Sequence, residues 1–276
     1  MSMTVRTNVS AIQSAGVLAK TNKALNKSLL KISSGKRING AADDAAGLGV
    51  ATNLESDAIS VKQAMRNTND GISVIQTAES AANEVTDILQ RVRELAVQSA
   101  SETLSDNERS YITDEYTQLK SEIDRIASAT NFNGMQLADG TDTNLSVQVG
   151  ITSTTTTSQI TIKLGDLTAN TGLGLTSVSL ASATGALAAL DSIDTALNSV
   201  NSVRSKFGSV QNRLESSLNN SQAYVEALSA AASQIEDLDF ANETANLSKL
   251  QILQQSGVAA LAQAKNINQS VISLLQ

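Results

Sequence analysis

From Leu190 to Ile235 the chain repeats one spacing without a break. Apolar residues return alternately after three and four positions: Leu190, Ile193, Leu197, Val200, then Phe207, Leu214, Leu218, Val225, Leu228, Ala232 and Ile235. Arg204, Gln211 and Ser221 fill the remaining seam positions. This is a heptad, and it predicts one helix from about Thr184 to about Ile235, packed lengthwise on another helix. Nothing breaks it, because the 276 residues include no proline. Composition narrows the partner. With 37 Ala, three Phe, three Tyr and no Trp, the chain cannot fill a wide core. Small side chains suit slender helices packed closely side by side.

The same spacing recurs elsewhere. Ala15, Leu18, Asn22, Leu25, Leu29 and Ile32 form a seam on the N-terminal arm, which Ser33-Ser34-Gly35 ends. Asn22 occupies a seam position, where a polar residue commonly fixes register. Gly40 to Gly49 reads as a turn or an irregular, tightly packed stretch. A long helix follows from about Val50 to Ala100, with its clearest seam at Ile75, Ala78, Ala82, Val85, Leu89, Val92 and Ala96. Ser105 and Glu108 form a capping box that opens a helix carrying Ile112, Tyr116, Leu119, Ile123 and Ile126. That helix stops near 130–134. The last helix, about Ala241 to Leu275, follows a break at 237–240 and carries two seams side by side. One runs Leu247, Leu250, Gln254, Gly257, Leu261, Ala264, Asn268, Val271, Leu275. The other runs Leu250, Leu253, Gly257, Ala260, Ala264, Ile267, Val271, Leu274. A helix apolar over so wide an arc is normally covered on several sides.

Between these helical stretches the period changes to two. Leu145, Val147, Val149 and Ile151 alternate with polar residues, as do Ile160, Ile162 and Leu164. A β-hairpin at about 144–165 is predicted, with Thr152 to Ser158 as its Ser/Thr-rich loop. Leu173, Leu175 and Val178 add another short extended segment.

The chain ends differ in charge. The first 42 residues hold no acid and seven bases; residues 215–243 hold six acids and no base. Lys20, Lys23, Lys27 and Lys31 share one helix face. A basic N-terminal arm lying beside the acidic C-terminal segment is the expected arrangement, though each exposed pair contributes only about 0–1 kcal/mol.

Several function classes drop out. No Cys and no His means no disulfide, no thiol nucleophile and no imidazole base or ligand. Asp43-Asp44 is a weak metal candidate without a histidine nearby. Gly47-Leu48-Gly49 lacks the third glycine of a dinucleotide loop. No enzyme activity and no cofactor is expected. A net charge of −7 disfavours nucleic-acid binding. No run approaches the roughly 20 apolar residues that span a bilayer, so membrane insertion is not expected. The N-terminus lacks the apolar block of a cleavable signal peptide. Thr152 to Ser158 could carry O-linked sugars; a polar loop is the simpler reading.

The apolar stripes at both ends exceed what one N-terminal helix against one C-terminal helix can cover. Other copies of the same chain are the economical cover, and a head-to-tail contact whose rotation does not close builds an open helical filament.

Ordered sequence blocks now resemble bacterial flagellin. They are Ile32-Ser33-Ser34-Gly35-Lys36-Arg37-Ile38-Asn39, Asp43-Asp44-Ala45-Ala46-Gly47-Leu48 and Arg66-Asn67-Thr68-Asn69-Asp70-Gly71-Ile72-Ser73. Leu89-Gln90-Arg91-Val92-Arg93-Glu94-Leu95-Ala96-Val97-Gln98 and Phe132-Asn133-Gly134 follow. Glu243-Thr244-Ala245-Asn246-Leu247, Gln251-Ile252-Leu253-Gln254-Gln255 and the terminal Ser273-Leu274-Leu275-Gln276 complete the set. Only about 50 residues separate Gly134 from the returning helix, so a minimal member without outer variable domains is implied. Two departures are visible: Lys36 stands where an apolar residue is usual, and the C-terminal arm lacks the proline often found before its last turn.

The resemblance implies a mainly α fold, with long antiparallel coiled-coil helices from both termini forming an inner terminal domain, and a helical rod domain with a small β-hairpin. Residues 1–42 would pair with 236–276 in the inner domain; 43–180 and 181–235 would make the two halves of the rod. It implies a self-assembling subunit of the flagellar filament, serving motility. Export would be unfolded through the flagellar type III system, and the location extracellular. A hook–filament junction protein is the alternative, which fits the Gln90–Gln98 block poorly. Partners implied are further copies of the chain, a flagellar export chaperone on the C-terminal arm, hook-associated and cap proteins, and Toll-like receptor 5. The receptor epitope carries to Arg91, Leu95 and Glu115. Packing between subunits carries to Leu18, Leu25, Leu29, Ile32, Leu250, Leu253, Leu261, Ile267, Val271 and Leu274.

Overall fold

The computed structural model describes residues 7–273, with side chains to 266. Long helices dominate: α1 Val9–Ser34, α2 Ala45–Ser99, α3 Asp106–Ala129, α5 Ala183–Glu236 and α6 Phe240–Ser273. Two small antiparallel strand pairs lie between α3 and α5. These are β1 Asn131–Phe132 with β2 Met135–Gln136, and β3 Asn144–Gln148 with β4 Gln159–Lys163. A one-turn helix, α4 Thr155–Ser158, precedes β4. The fold is mainly α. No described helix is long and apolar enough to cross a membrane.

Local chemistry sets the helix ends. The Asn8 side chain caps α1 by accepting from the Ala11 N–H at 2.9 Å. Gly35 ends that helix at φ 73°, a left-handed conformation that favours glycine, and its N–H returns to the Lys31 carbonyl. Asp44 caps α2 through the Gly47 N–H at 2.8 Å. Glu108 accepts from the Ser105 N–H at 2.7 Å at the start of α3, as the capping box predicts.

The chain separates into two compact units, Met1–Ser56 with Ala227–Gln276, and Asp57–Glu226. Their boundaries fall inside α2 and α5.

In the second unit, every predicted α2 seam residue from Ile75 to Ala96 is at most 1% exposed. Those from Ala82 onward pack with Ile112, Tyr116 and Ile123 of α3 and Ile193 and Val200 of α5. A second cluster forms where the hairpin lies on the helices. Val147, Ile160 and Ile162 meet Val74 and Ile75 of α2 and Phe207 and Leu214 of α5. Gly71 makes the close approach possible: a Cβ there would stand 2.9 Å from Val147 Cγ2.

Three local expectations change. Of the stretch 40–49, expected to be irregular, the part from Ala45 is the first turn of α2. Leu173, Leu175 and Val178 do not form a strand. Leu175–Ser177 is a 3₁₀ turn, and its Leu175 carbonyl receives both the Tyr116 hydroxyl and the Lys120 ammonium at 3.3 Å. Cross-linking to α3 replaces strand pairing. The segment 152–158 is half loop and half helix, because the Thr157 and Ser158 N–H groups both turn back to the Thr154 carbonyl.

Candidate assembly surface

In the first unit α1 and α6 run antiparallel. Asn8 Nδ2 donates to the Ala264 carbonyl at 2.8 Å, Gln254 Nε2 donates to Asn22 Oδ1 at 2.8 Å, and the Ser28 hydroxyl donates to Glu243. Leu18, Leu25 and Ile32 of α1 and Leu250 and Leu261 of α6 are half-buried along this seam. Leu29 and Leu253 are not: they are 44% and 46% exposed. Ser28, one position earlier than the predicted Leu29, fills the buried seam position of α1. Leu274 lies outside the described residues, as do the side chains of Ile267 and Val271.

Pairing therefore leaves both helices with bare apolar faces. Val9, Ile12, Val17, Leu29 and Leu30 are exposed on α1, and Phe240, Ile252, Leu253 and Val258 on α6. Heptad counting missed Ile12, Val17, Leu30, Ile252 and Val258, because it records only the seam in register. Their signal in the sequence was the width of the apolar arc. Large apolar side chains left bare in this number on paired helices point to further partners.

Charge pairs hold the joint between the arms. Lys36 Nζ lies 2.6 Å from Glu236, whose side chain is almost fully buried, and 3.9 Å from Glu55. Its ammonium is held above the usual lysine range, chiefly by the bond to Glu236. The Arg37 guanidinium donates to the Ile235 carbonyl, and the Leu238 N–H to the Gly35 carbonyl at 3.0 Å. Lys27 contacts Asp43 at 2.6 Å. Lys27, and then the Asn39 N–H, hold that carboxyl below its usual range. Asp43 and Asp44 thus serve a salt bridge and a helix cap, and no metal-binding group of three or more side chains occurs among the described residues.

The second unit carries the other predicted cluster. Arg91 projects from α2 to Glu115 of α3 at 2.9 Å and to Glu94 at 2.9 Å, and all three are exposed. Leu95 is 1% exposed and belongs to the helical core. Arg93 reaches Asp194 of α5 at 2.7 Å. The cluster is thus a charged outer face supported from beneath by Leu95. No convergent nucleophile and base accompany it.

The comparisons with known proteins agree over most of the chain. Residues 5–143 match the bacterial flagellin N-terminal helical region, and 190–275 the bacterial flagellin C-terminal helical region. A flagellin of Halalkalibacterium halodurans is 41% identical over 250 residues, covering 91% of each chain. A flagellin of Bacillus subtilis is 38% identical over 313 residues, covering 99% of this chain and all of the other. Among solved structures, Bacillus cereus flagellin aligns at TM-score 0.50 and 35% identity, over 56% of this chain and 88% of that one.

Proposed function

The chain belongs to the bacterial flagellin family and is a structural subunit of the flagellar filament; from that premise we propose that its two arms polymerise by covering one another's exposed apolar faces. One observation carries this reading: α1 and α6 are already paired, yet Ile12 and Val17 on one and Ile252 and Val258 on the other remain more than half exposed. A second copy offers the same surfaces, and a rotation that does not close gives a tube. Export in an unfolded state through the type III system suits a chain without disulfides, and it would deliver the subunit outside the cell. Before assembly the bare face of α6 is a suitable seat for an export chaperone. At the ends of the polymer the same faces would meet hook-associated and cap proteins.

Seeded elongation tests the proposal. Purified chain added to filament fragments should grow long helical tubes visible by electron microscopy, whereas chain truncated after Asp239 should not. Normal growth by the truncated chain would refute it. A protein of the hook–filament junction would give no long tubes.

Recognition by Toll-like receptor 5 is proposed for the outer face of the second unit. Arg91 and Glu115 are exposed and paired there, and Leu95 holds the face in place from the core.

A further inference from the structure

Helix α6 carries two apolar seams, and one of them must be chosen to face α1. Both contain Leu250, Gly257 and Ala264. Among the described side chains the first adds Leu247, Gln254 and Leu261; the second adds Leu253 and Ala260. Consecutive residues lie about 100° apart, so a turn of α6 by about 50° about its axis exchanges the seams. The second is wholly apolar, whereas the first sets the polar Gln254 side chain against α1, where it needs a partner. In the structure α1 nevertheless faces the first: Gln254 and Leu261 are half-buried, while Leu253 and Ala260 are exposed.

Most contacts along the pair do not discriminate. Gly257 is common to both seams, and the Leu18 Cδ1 that would stand 3.3 Å from a Cβ there suits either. The bond from Ser28 to Glu243 anchors the start of α6, about three turns before Gln254. One hydrogen bond belongs to the first seam alone. Gln254 Nε2 donates to Asn22 Oδ1 at 2.8 Å in a partly buried setting. Turning Gln254 outward would set the Asn22 amide against Leu253, without its partner.

We propose that the Asn22–Gln254 hydrogen bond is the rotational selector of the arm pair. It holds the first seam of α6 against α1 and so keeps Leu253 and Ala260 on the outside. That these outward residues meet neighbouring copies rests on the proposed function; the rotational choice itself does not.

The absence of native cysteine permits a direct test. Leu253→Cys and Leu261→Cys are made singly in the full-length unassembled chain, and maleimide labelling rates are compared. In the native background position 253 should react faster than position 261. In an Asn22→Leu background the ratio should fall about fivefold, the equivalent of one net hydrogen bond. The exchanged pair, Asn22→Gln with Gln254→Asn, should return the ratio toward native, which a merely damaged helix would not. An unchanged ratio with Asn22→Leu, or equal rates already in the native background, would overturn the proposal. Seeded elongation of the same proteins reads filament growth separately. A native chain with the expected ratio that fails to elongate would sink the assembly reading and leave the selector standing.

Discussion

Replacing Ile252 and Leu253 together by alanine removes exposed apolar surface from α6 without touching the seam that faces α1. Each change takes away three methylene equivalents, at about 0.8 kcal/mol apiece when fully buried. Ile252 is 63% exposed and Leu253 46% in the unassembled chain. Covering that remaining surface is therefore worth about 1.5 kcal/mol for the first and about 1.1 kcal/mol for the second. A polymer that covers both residues completely loses about 2.6 kcal/mol per subunit, which raises the critical concentration for elongation about 80-fold. The helix itself should persist, because alanine is the best helix former. The assay is sedimentation of seeded filaments over a concentration series, with helicity of the unassembled chain by circular dichroism beside it. A critical concentration within twofold of the parent, at unchanged helicity, would refute the assignment of this face to subunit contacts.

Four further outcomes follow from particular side chains. Phe207 is 1% exposed where the hairpin meets α2 and α5, so Phe207→Ala should cost about 3–5 kcal/mol in denaturant unfolding. Arg109 is 6% exposed and donates to the carbonyl of Ser99, the last residue of α2, and to that of Leu104 in the following turn. Arg109→Met should strand those carbonyls and cost about 1–3 kcal/mol in the same experiment. Acid should loosen the arms. Lys27 holds the Asp43 carboxyl below its ordinary 3.8, and Ser28 above all holds that of Glu243 below 4.5. Depressed values in the folded state stabilise fully above the unfolded values, and that contribution is lost as pH falls through the folded ones. Amide exchange in α1 and α6 should therefore lose protection as pH falls from about 4.5, once intrinsic rates are corrected. Arg91→Ala breaks the bridge to Glu115 on an exposed face and should lower receptor signalling with little change in unfolding; intact signalling would remove Arg91 from the epitope.

Long periodic elements were legible because their signal is summed over many residues. The α5 heptad runs through 14 positions, and all are buried or half-buried. Short elements were less legible. Phe132-Asn133-Gly134 reads as a helix stop, and it is one, but it is also a two-residue hairpin joining β1 to β2. Asn133 at φ 51° and Gly134 at φ 82° supply the conformations such a turn requires. The Asn-Gly pair was the signal; two-residue strands have no periodicity to support it. The seam of α1 was read one residue late at its end, because Leu29 outranks Ser28 in hydrophobicity. What decides there is Glu243, more than 200 positions away, which offers Ser28 an acceptor. Local pattern cannot contain that information. The bare faces of the arms were legible as an apolar arc too wide for one partner, but not which leucine would be covered within the chain and which left for a neighbour.

The charge asymmetry of the chain ends shows how little of such a pattern needs to be structural. Opposite signs at the two ends suggested that the basic N-terminal arm lies beside the acidic segment 215–243. The ion pairs gather at the joint, where Lys27 meets Asp43 and Lys36 meets Glu236, while Lys20 and Lys23 remain exposed. Exposed pairs in water contribute about 0–1 kcal/mol, so spreading them along the arm would add little. Glu236 is different, because a carboxylate only 7% exposed is costly unless a cation or strong donors face it. Lys36 supplies that cation while its own stem stays half in solvent. Where the resemblance expects an apolar residue, this chain therefore has a base that neutralises a buried acid. The departure is compensated within the same joint, and it ties the end of α1 to the end of α5 by charge rather than by packing alone.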